Sequence, residues 1–344
     1  MKISYKVLSL ELKFPFSIAK FSRTSTAILL LKLEYEGCFG LGEASMVPYM
    51  GENPETAVAF LNKVDFSSSV FSYPFQMQAI LNYLDSIEMN MPAVKAAIDI
   101  ALHDITGKIQ QKPCYKLYDA QPKLMPLTSY TIGIDSPDII IKKVEDALSY
   151  DFKLLKIKLG RDSDRLLIDT IRLVTDLPLY VDANQGWEDK YEGVEMTHWL
   201  KEQGVILIEQ PMVKENIDDN AWITDHSPIP IIADEAVQRL SDIDKVKGAY
   251  HGINIKLMKS AGMYEAHQML IKAKESGLKI MIGCMSETSV ATLAGAALAP
   301  LCDFVDLDGP FMTKNNPYNQ PYFISGKYKL SDLPGLGVID GENS

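Results

Sequence analysis

The chain of 344 residues contains no run of about 20 apolar residues, which excludes a membrane-spanning helix. Nor does it carry an excess of basic residues. A formal net charge of −11 leaves no cationic footprint for nucleic acid, so neither membrane nor nucleic acid is expected as a partner. The opening MKISYKVLSLELKFPF alternates like a strand and lacks the apolar block and cleavage site of a signal peptide. Cysteines are few and scattered: Cys38, Cys114, Cys284 and Cys302 form no CxxC pair. They read as free thiols of a reducing compartment, so a cytoplasmic location is expected. The five histidines (His103, His198, His226, His251 and His267) show no metal-ligand spacing. No GxGxxG follows a strand and no GxSxG is present, which removes the usual signals of a dinucleotide site and of a serine nucleophile.

What is present is a chain that is 47% hydrophobic and can bury a large core. Residues 1 to about 45 read as antiparallel β: two alternating runs flank a loop, FSIAKFSRTS, and GCFGLGEAS follows. From Glu55 to Gln111 the pattern is helical, and PAVKAAIDIALHDITGKIQ is its clearest stretch. Its acids Asp99 and Asp104 read as a solvated or buttressing face. After about residue 122, β-rich runs alternate with amphipathic helices: LTSYTI, KLLKIKL, LPLYVDA, VILIEQ, IPIIADE, GINIKL, LKIMIG and DFVDLD. Such alternation predicts a parallel sheet with right-handed crossovers, and eight strands in about 190 residues fit a closed (β/α)8 barrel better than an open sheet. The expected division is 1–120, 121–310 and a Pro/Gly/Asn-rich segment 311–344 that returns to the first region.

The stretch KLLKIKLG poses the functional question. Leu155, Ile157 and Leu159 fall on one face of a strand, and Lys156 and Lys158 on the other. An edge strand with solvated lysines is the simple reading. The same period-2 argument along the later strands points Asp182, Glu209, Asp234, Asn254, Lys256, Asp306 and Asp308 away from the apolar face. Each lies near the C-terminal end of its strand, at intervals of 24, 27, 25 and 22 positions from Lys158 to Lys256. In a barrel these groups converge at the C-terminal mouth, where active sites lie. Three carboxylates on successive strands must be paired or bind a metal. With no His or Cys beside them they favour a hard cation such as Mg²⁺, and a structural ion-pair cluster is the alternative.

Taken in order, KIKLG, VDANQGW, IEQP, ADE, NIKLMKSAG, GCMSET and DLDGP resemble the enolase superfamily, and most of all its dipeptide epimerases. The resemblance spans nearly the whole chain, including GEA after the N-terminal hairpin, ALHD and the closing LPGLG. It implies a modified barrel of (β/α)7β type under an α+β capping domain built from both chain ends. It implies one Mg²⁺ per subunit on Asp182, Glu209 and Asp234, with Asn184 and Glu235 supporting them. Lys158 and Lys256 become the acid/base pair on opposite faces of the substrate carbon, and Lys156 helps bind the substrate carboxylate. Asp306 and Asp308 would hold a dipeptide's α-ammonium, and Cys284 and Met285 would touch the substrate. In members acting on L-Ala-Glu a first-loop arginine meets the glutamate side chain; here Lys20 or Arg23 stands near that position.

The implied activity is epimerisation of the C-terminal residue of a dipeptide, such as L-Ala-D/L-Glu from peptidoglycan recycling, by two-lysine proton transfer through an Mg²⁺-stabilised enediolate. An o-succinylbenzoate synthase or muconate cycloisomerase on the same scaffold is the enzyme alternative. A barrel kept as a binding module is the non-enzyme one. Homo-oligomerisation is compatible with this reading.

Overall fold

A computed structural model describes residues 1–18, 21–46, 51–160, 164–339 and 341. The N-terminal sheet has three antiparallel strands, β1 (Lys2–Ile18), β2 (Phe21–Tyr35) and β3 (Cys38–Met46). Glu36 and Gly37 both take positive φ, as the two-residue turn between β2 and β3 requires. The stretch FSIAKFSRTS, expected as a loop, is largely strand. Pairing jumps from Glu11↔Ser25 to Phe16↔Arg23, so an irregularity around Pro15 absorbs extra residues and pairing then resumes.

Three helices cover this sheet: α1 (Pro54–Lys63), α2 (Met77–Ile87) and α3 (Pro92–Ile109). The last is buried on nearly every face because it lies between the sheet and the barrel. Close contact is possible because β3 offers glycines there. A Cβ on Gly42 would fall 1.8 Å from Ala97 O. Gly42→Ala should therefore force the helix off the sheet and lower stability by about 1–3 kcal/mol. Thermal unfolding measures this, and an unchanged Tm would contradict the packing described. Asp99 and Asp104 on α3 are both buried, so they buttress rather than face water. Asp99 accepts from Met263 N–H and Tyr264 N–H, and Asp104 from Leu41 N–H and Leu336 N–H.

The barrel follows as β4 (Tyr130–Ile132), α4 (Pro137–Ser149), β5 (Leu155–Lys158), α5 (Asp164–Arg172), β6 (Leu179–Asp182) and α6 (Lys190–Glu202). It continues as β7 (Val205–Glu209), α7 (Ile217–His226), β8 (Ile231–Ala233), α8 (Ile243–Val246) and β9 (Gly252–Lys256). It ends with α9 (Met263–Glu275), β10 (Lys279–Gly283), α10 (Ser289–Leu298) and β11 (Phe304–Asp306). The strands are parallel and neighbours in sequence order. Thr128 bridges to Val305 and Ser129 N–H donates to Val305 O, which brings the first and last strands together. A 3-10 turn rather than an α-helix follows β11, giving the (β/α)7β form. One departure from strict alternation lies in β7, where the pairing with β6 skips Ile206 and leaves it exposed.

Period-2 patterning sorts the strand residues into two sets. Leu155, Ile157, Val181, Ile208, Ile231 and Ile253 join the main core. Leu154, Tyr180, Leu207, Ile232 and Met281 form a separate apolar cluster. These alternate with the first set, so they line the barrel interior beneath the charged strand ends. Lys156 and Lys158 share that parity and are buried inside the barrel, which disposes of the edge-strand reading. The final segment returns to the N-terminal region: Leu12 bridges to Thr313, Lys314 N–H donates to Glu11 O, and Pro113 bridges to Gly335.

Candidate active site

At the C-terminal ends of β6 and β7 and just after β8, oxygen atoms of Asp182, Glu209 and Asp234 lie within 4.8 Å of one another. All three residues are buried. Each carboxylate is shared between a fixed donor and a lysine. Asp182 accepts from Asn184 N–H at 2.9 Å through Oδ1 and from Lys158 Nζ at 2.6 Å through Oδ2. Glu209 accepts from Asn254 Nδ2 at 3.1 Å through Oε2, and its Oε1 lies 2.7 Å from Lys156 Nζ. Asp234 accepts from Lys259 Nζ at 2.6 Å through Oδ1 and from Lys256 Nζ at 2.7 Å through Oδ2.

The electrostatics follow from that arrangement. Burial opposes ionisation of Asp182 and Asp234. Lys158 and Lys156 outweigh it at Asp182, and Lys256, Lys259 and Lys156 outweigh it at Asp234, holding both below the usual range. Burial dominates at Glu209 and pushes it up to about 7 despite Lys156. Glu235, next to Asp234, is likewise pushed up to about 7 by burial and then by Asp234. A set of three buried carboxylates, all oxygen donors, suits a hard divalent cation, which would relieve this crowding.

Lys158 and Lys256 stand at opposite ends of the group, with three strands, β6, β7 and β8, between theirs in sheet order. Asp306 on β11 accepts from Ser129 Oγ at 2.6 Å and from Lys156 Nζ at 2.8 Å, so it already faces a cation. Asp308 accepts from Thr131 N–H at 2.7 Å, and Cys284 Sγ lies 3.7 Å from its other oxygen. Burial and then Asp306 push Asp308 up to about 6. Met285 follows Cys284 at the same rim and donates its N–H to Glu287 at 2.9 Å. Arg23, on β2, reaches over the mouth: its Nη2 is 2.9 Å from Ser286 Oγ. Its guanidinium carbon is 5.3 Å from the Phe16 ring centroid, and that ring lies 5.6 Å from Lys158 Nζ. Lys20 lies outside the described residues.

Sequence reasoning missed several neighbours. Ser129 and Thr131 alternate in LTSYTI, and that alternation was their only signal. Lys259 stands in NIKLMKSAG, three residues after Lys256, but nothing local reveals that it turns back to Asp234. Glu287, in GCMSET, is buried, and burial followed by Glu43 pushes it up to about 8. Asn184 contributes to the cluster through its backbone N–H rather than its side chain.

Residues 2–118 match the mandelate racemase / muconate lactonizing enzyme N-terminal domain, and residues 140–340 match the enolase C-terminal domain-like family. The chain belongs to the enolase superfamily, in its mandelate racemase and muconate lactonizing enzyme family. It is 48% identical to the L-Ala-D/L-Glu epimerase of Bacteroides thetaiotaomicron, an alignment covering 98% of this chain and 88% of that one. Among solved structures, the dipeptide epimerase of Enterococcus faecalis, complexed with Mg and L-Leu-L-Tyr, superposes with a TM-score of 0.88 at 29% identity, covering 98% of both chains. The substrate-liganded L-Ala-D/L-Glu epimerase of Bacillus subtilis gives 0.89 at 27% identity, covering 99% of this chain and 98% of that one.

Proposed function

We propose that this protein is a Mg²⁺-dependent dipeptide epimerase that inverts the α-carbon of the C-terminal residue, with L-Ala-D/L-Glu as the substrate pair. The observation that carries the reading is the pairing of Lys158 and Lys256 across a three-carboxylate cluster. The named relatives, all epimerases of dipeptides, agree with it. Asp182, Glu209 and Asp234 would hold one Mg²⁺, which when bound supplies positive charge where the substrate carboxylate gains a second negative charge.

The rest of the chemistry belongs to the side chains. One lysine removes the α-proton from its face and the other returns a proton from the opposite face, which inverts the centre. Lys156 adds fixed positive charge beside the carboxylates and orients the substrate carboxylate. Two carboxyl groups, Asp306 at the end of β11 and Asp308 two residues on, suit a cationic end of the substrate. An ammonium arriving there would stabilise the ionised form of Asp308, which burial disfavours. Arg23, above the mouth, is positioned to meet an acidic second side chain, and Cys284 and Met285 line the substrate's flank. The cap (1–120 with 311–344) closes over the barrel (121–310). The four cysteines are unpaired, which suits a cytoplasmic enzyme, and the substrate pair suits peptidoglycan recycling.

The substrate class can be tested by removing one charge. Acetylating the N-terminus leaves Asp308 facing a neutral group, while Asp306 keeps Lys156. Losing a buried charged partner costs about 2–5 kcal/mol, or roughly 30- to 5000-fold in kcat/KM. N-acetyl-L-Ala-L-Glu should be the poorer substrate by that factor, and Asp306→Asn with Asp308→Asn should narrow the gap. Equal kcat/KM for the free and acetylated peptides would refute the ammonium role.

A further inference from the structure

Each of the three cluster carboxylates has one oxygen held by a donor other than Lys156, Lys158 and Lys256. For Asp182 the donor is a backbone N–H, and for Glu209 it is the Asn254 amide. At Asp234 that donor is a charged side chain, Lys259. Lys259 is buried, and its Nζ lies 2.6 Å from Asp234 Oδ1, 2.6 Å from Asp234 O, 2.9 Å from Val237 O and 3.1 Å from Asn254 O. An ammonium has three hydrogens, so four acceptors saturate it and leave nothing for a substrate.

The need for such a tether is visible in the backbone. Asp234 lies one residue past the end of β8, so strand pairing does not fix it as it fixes Asp182 and Glu209. Its main chain is held by Gln210, whose Oε1 accepts from Asp234 N–H and Ala236 N–H. That contact sets the path of the loop but not the rotamer of the carboxylate. Lys259 can reach it because the chain turns sharply after β9, with Lys259 N–H and Ser260 N–H both bonded to Lys256 O. One short turn thus delivers two lysines to the two oxygens of one carboxylate.

We infer that Lys259 is a positioning residue for the metal site. It captures Asp234 Oδ1 and the following loop, so that Oδ2 alone is presented toward Asp182 and Glu209. Lys256, which touches that presented oxygen, has the reacting role, and Lys259 acts only through Asp234. This inference rests on the proposed Mg²⁺-ligand role of Asp234.

The test is Mg²⁺ titration of the intact protein by calorimetry, with unfolding followed by circular dichroism. Loss of a partner that orients a metal ligand typically costs roughly 10–100-fold in metal affinity. Lys259→Met should weaken Mg²⁺ binding by that factor, and the shorter, neutral donor in Lys259→Gln should give a smaller loss. In an Asp234→Asn background, Lys259→Met should add less than about threefold, because the two residues act as one unit. Wild-type affinity in folded Lys259→Met, or the same loss in both backgrounds, would overturn the inference. If Lys259→Met does not fold, Lys259→Gln decides. Failure of both to fold would show a purely structural residue and also overturn it. Wild-type protein that binds no Mg²⁺, or Asp234→Asn with unchanged affinity, would instead refute the ligand reading beneath it.

Discussion

Alanine at Lys158 or at Lys256 is expected to stop epimerisation while leaving the protein folded. Each substitution removes a group that must accept or deliver a proton at one face, an effect of roughly 10²–10⁴-fold for a positioned acid or base. Inversion needs both faces, so either loss blocks the net reaction. The fold should survive because neither truncation strands a buried carboxylate. Without Lys158, Asp182 keeps Lys156 at 3.4 Å, and without Lys256, Asp234 keeps Lys259 at 2.6 Å. A finer signature follows from the two-sided geometry. In D₂O, each single variant should still exchange the α-proton of one epimer and not of the other, with opposite preference in the two variants. Exchange at wild-type rates in both would mean that another group is the base.

The second large effect concerns the carboxylates. Asp182→Asn, Glu209→Gln and Asp234→Asn each replace a hard anionic ligand with a neutral amide of similar size. All three should abolish measurable turnover and weaken Mg²⁺ binding. A Lewis acid contributes several kcal/mol at the developing charge, and each 1.4 kcal/mol or so is tenfold in rate. Glu209→Gln separates this from misfolding. Burial already pushes the Glu209 carboxyl up to about 7, so a neutral amide there relieves repulsion among the acids. Its metal-free Tm should match or exceed that of wild type even as activity disappears. EDTA treatment of the wild-type protein should reproduce the loss, and Mg²⁺ should restore it. Full turnover after EDTA would contradict the metal reading.

Much of this was legible because the barrel strands alternate faces, apart from the irregularity at Ile206 in β7. Val181 beside Asp182, Ile208 beside Glu209 and Ile253 beside Asn254 each signal one buried face and one functional face, whatever the strand's partners. That local rule located the carboxylates and both lysines. It failed where pairing is irregular, as in the hairpin, where the shift around Pro15 hid the strand running to Ile18. It also could not show partnerships between distant strands. Lys156 meets Asp306 across 150 positions, and Ser129 meets the same carboxylate across 177, so the cation already facing Asp306 was invisible to any local pattern. Lys259 was hidden for a similar reason. Its position depends on a turn, and its function on a loop from the preceding strand.

Two lysines should interconvert the epimers of a dipeptide at the carbon beside its carboxylate. Proton NMR of L-Ala-L-Glu and, separately, L-Ala-D-Glu with the protein and Mg²⁺ in D₂O tests it most directly. Both samples should converge on the same mixture of epimers while the glutamyl α-proton signal disappears and the alanyl α-proton signal persists. Unchanged spectra from both dipeptides, with turnover of an amine-free acid such as the o-succinylbenzoate precursor, would contradict it.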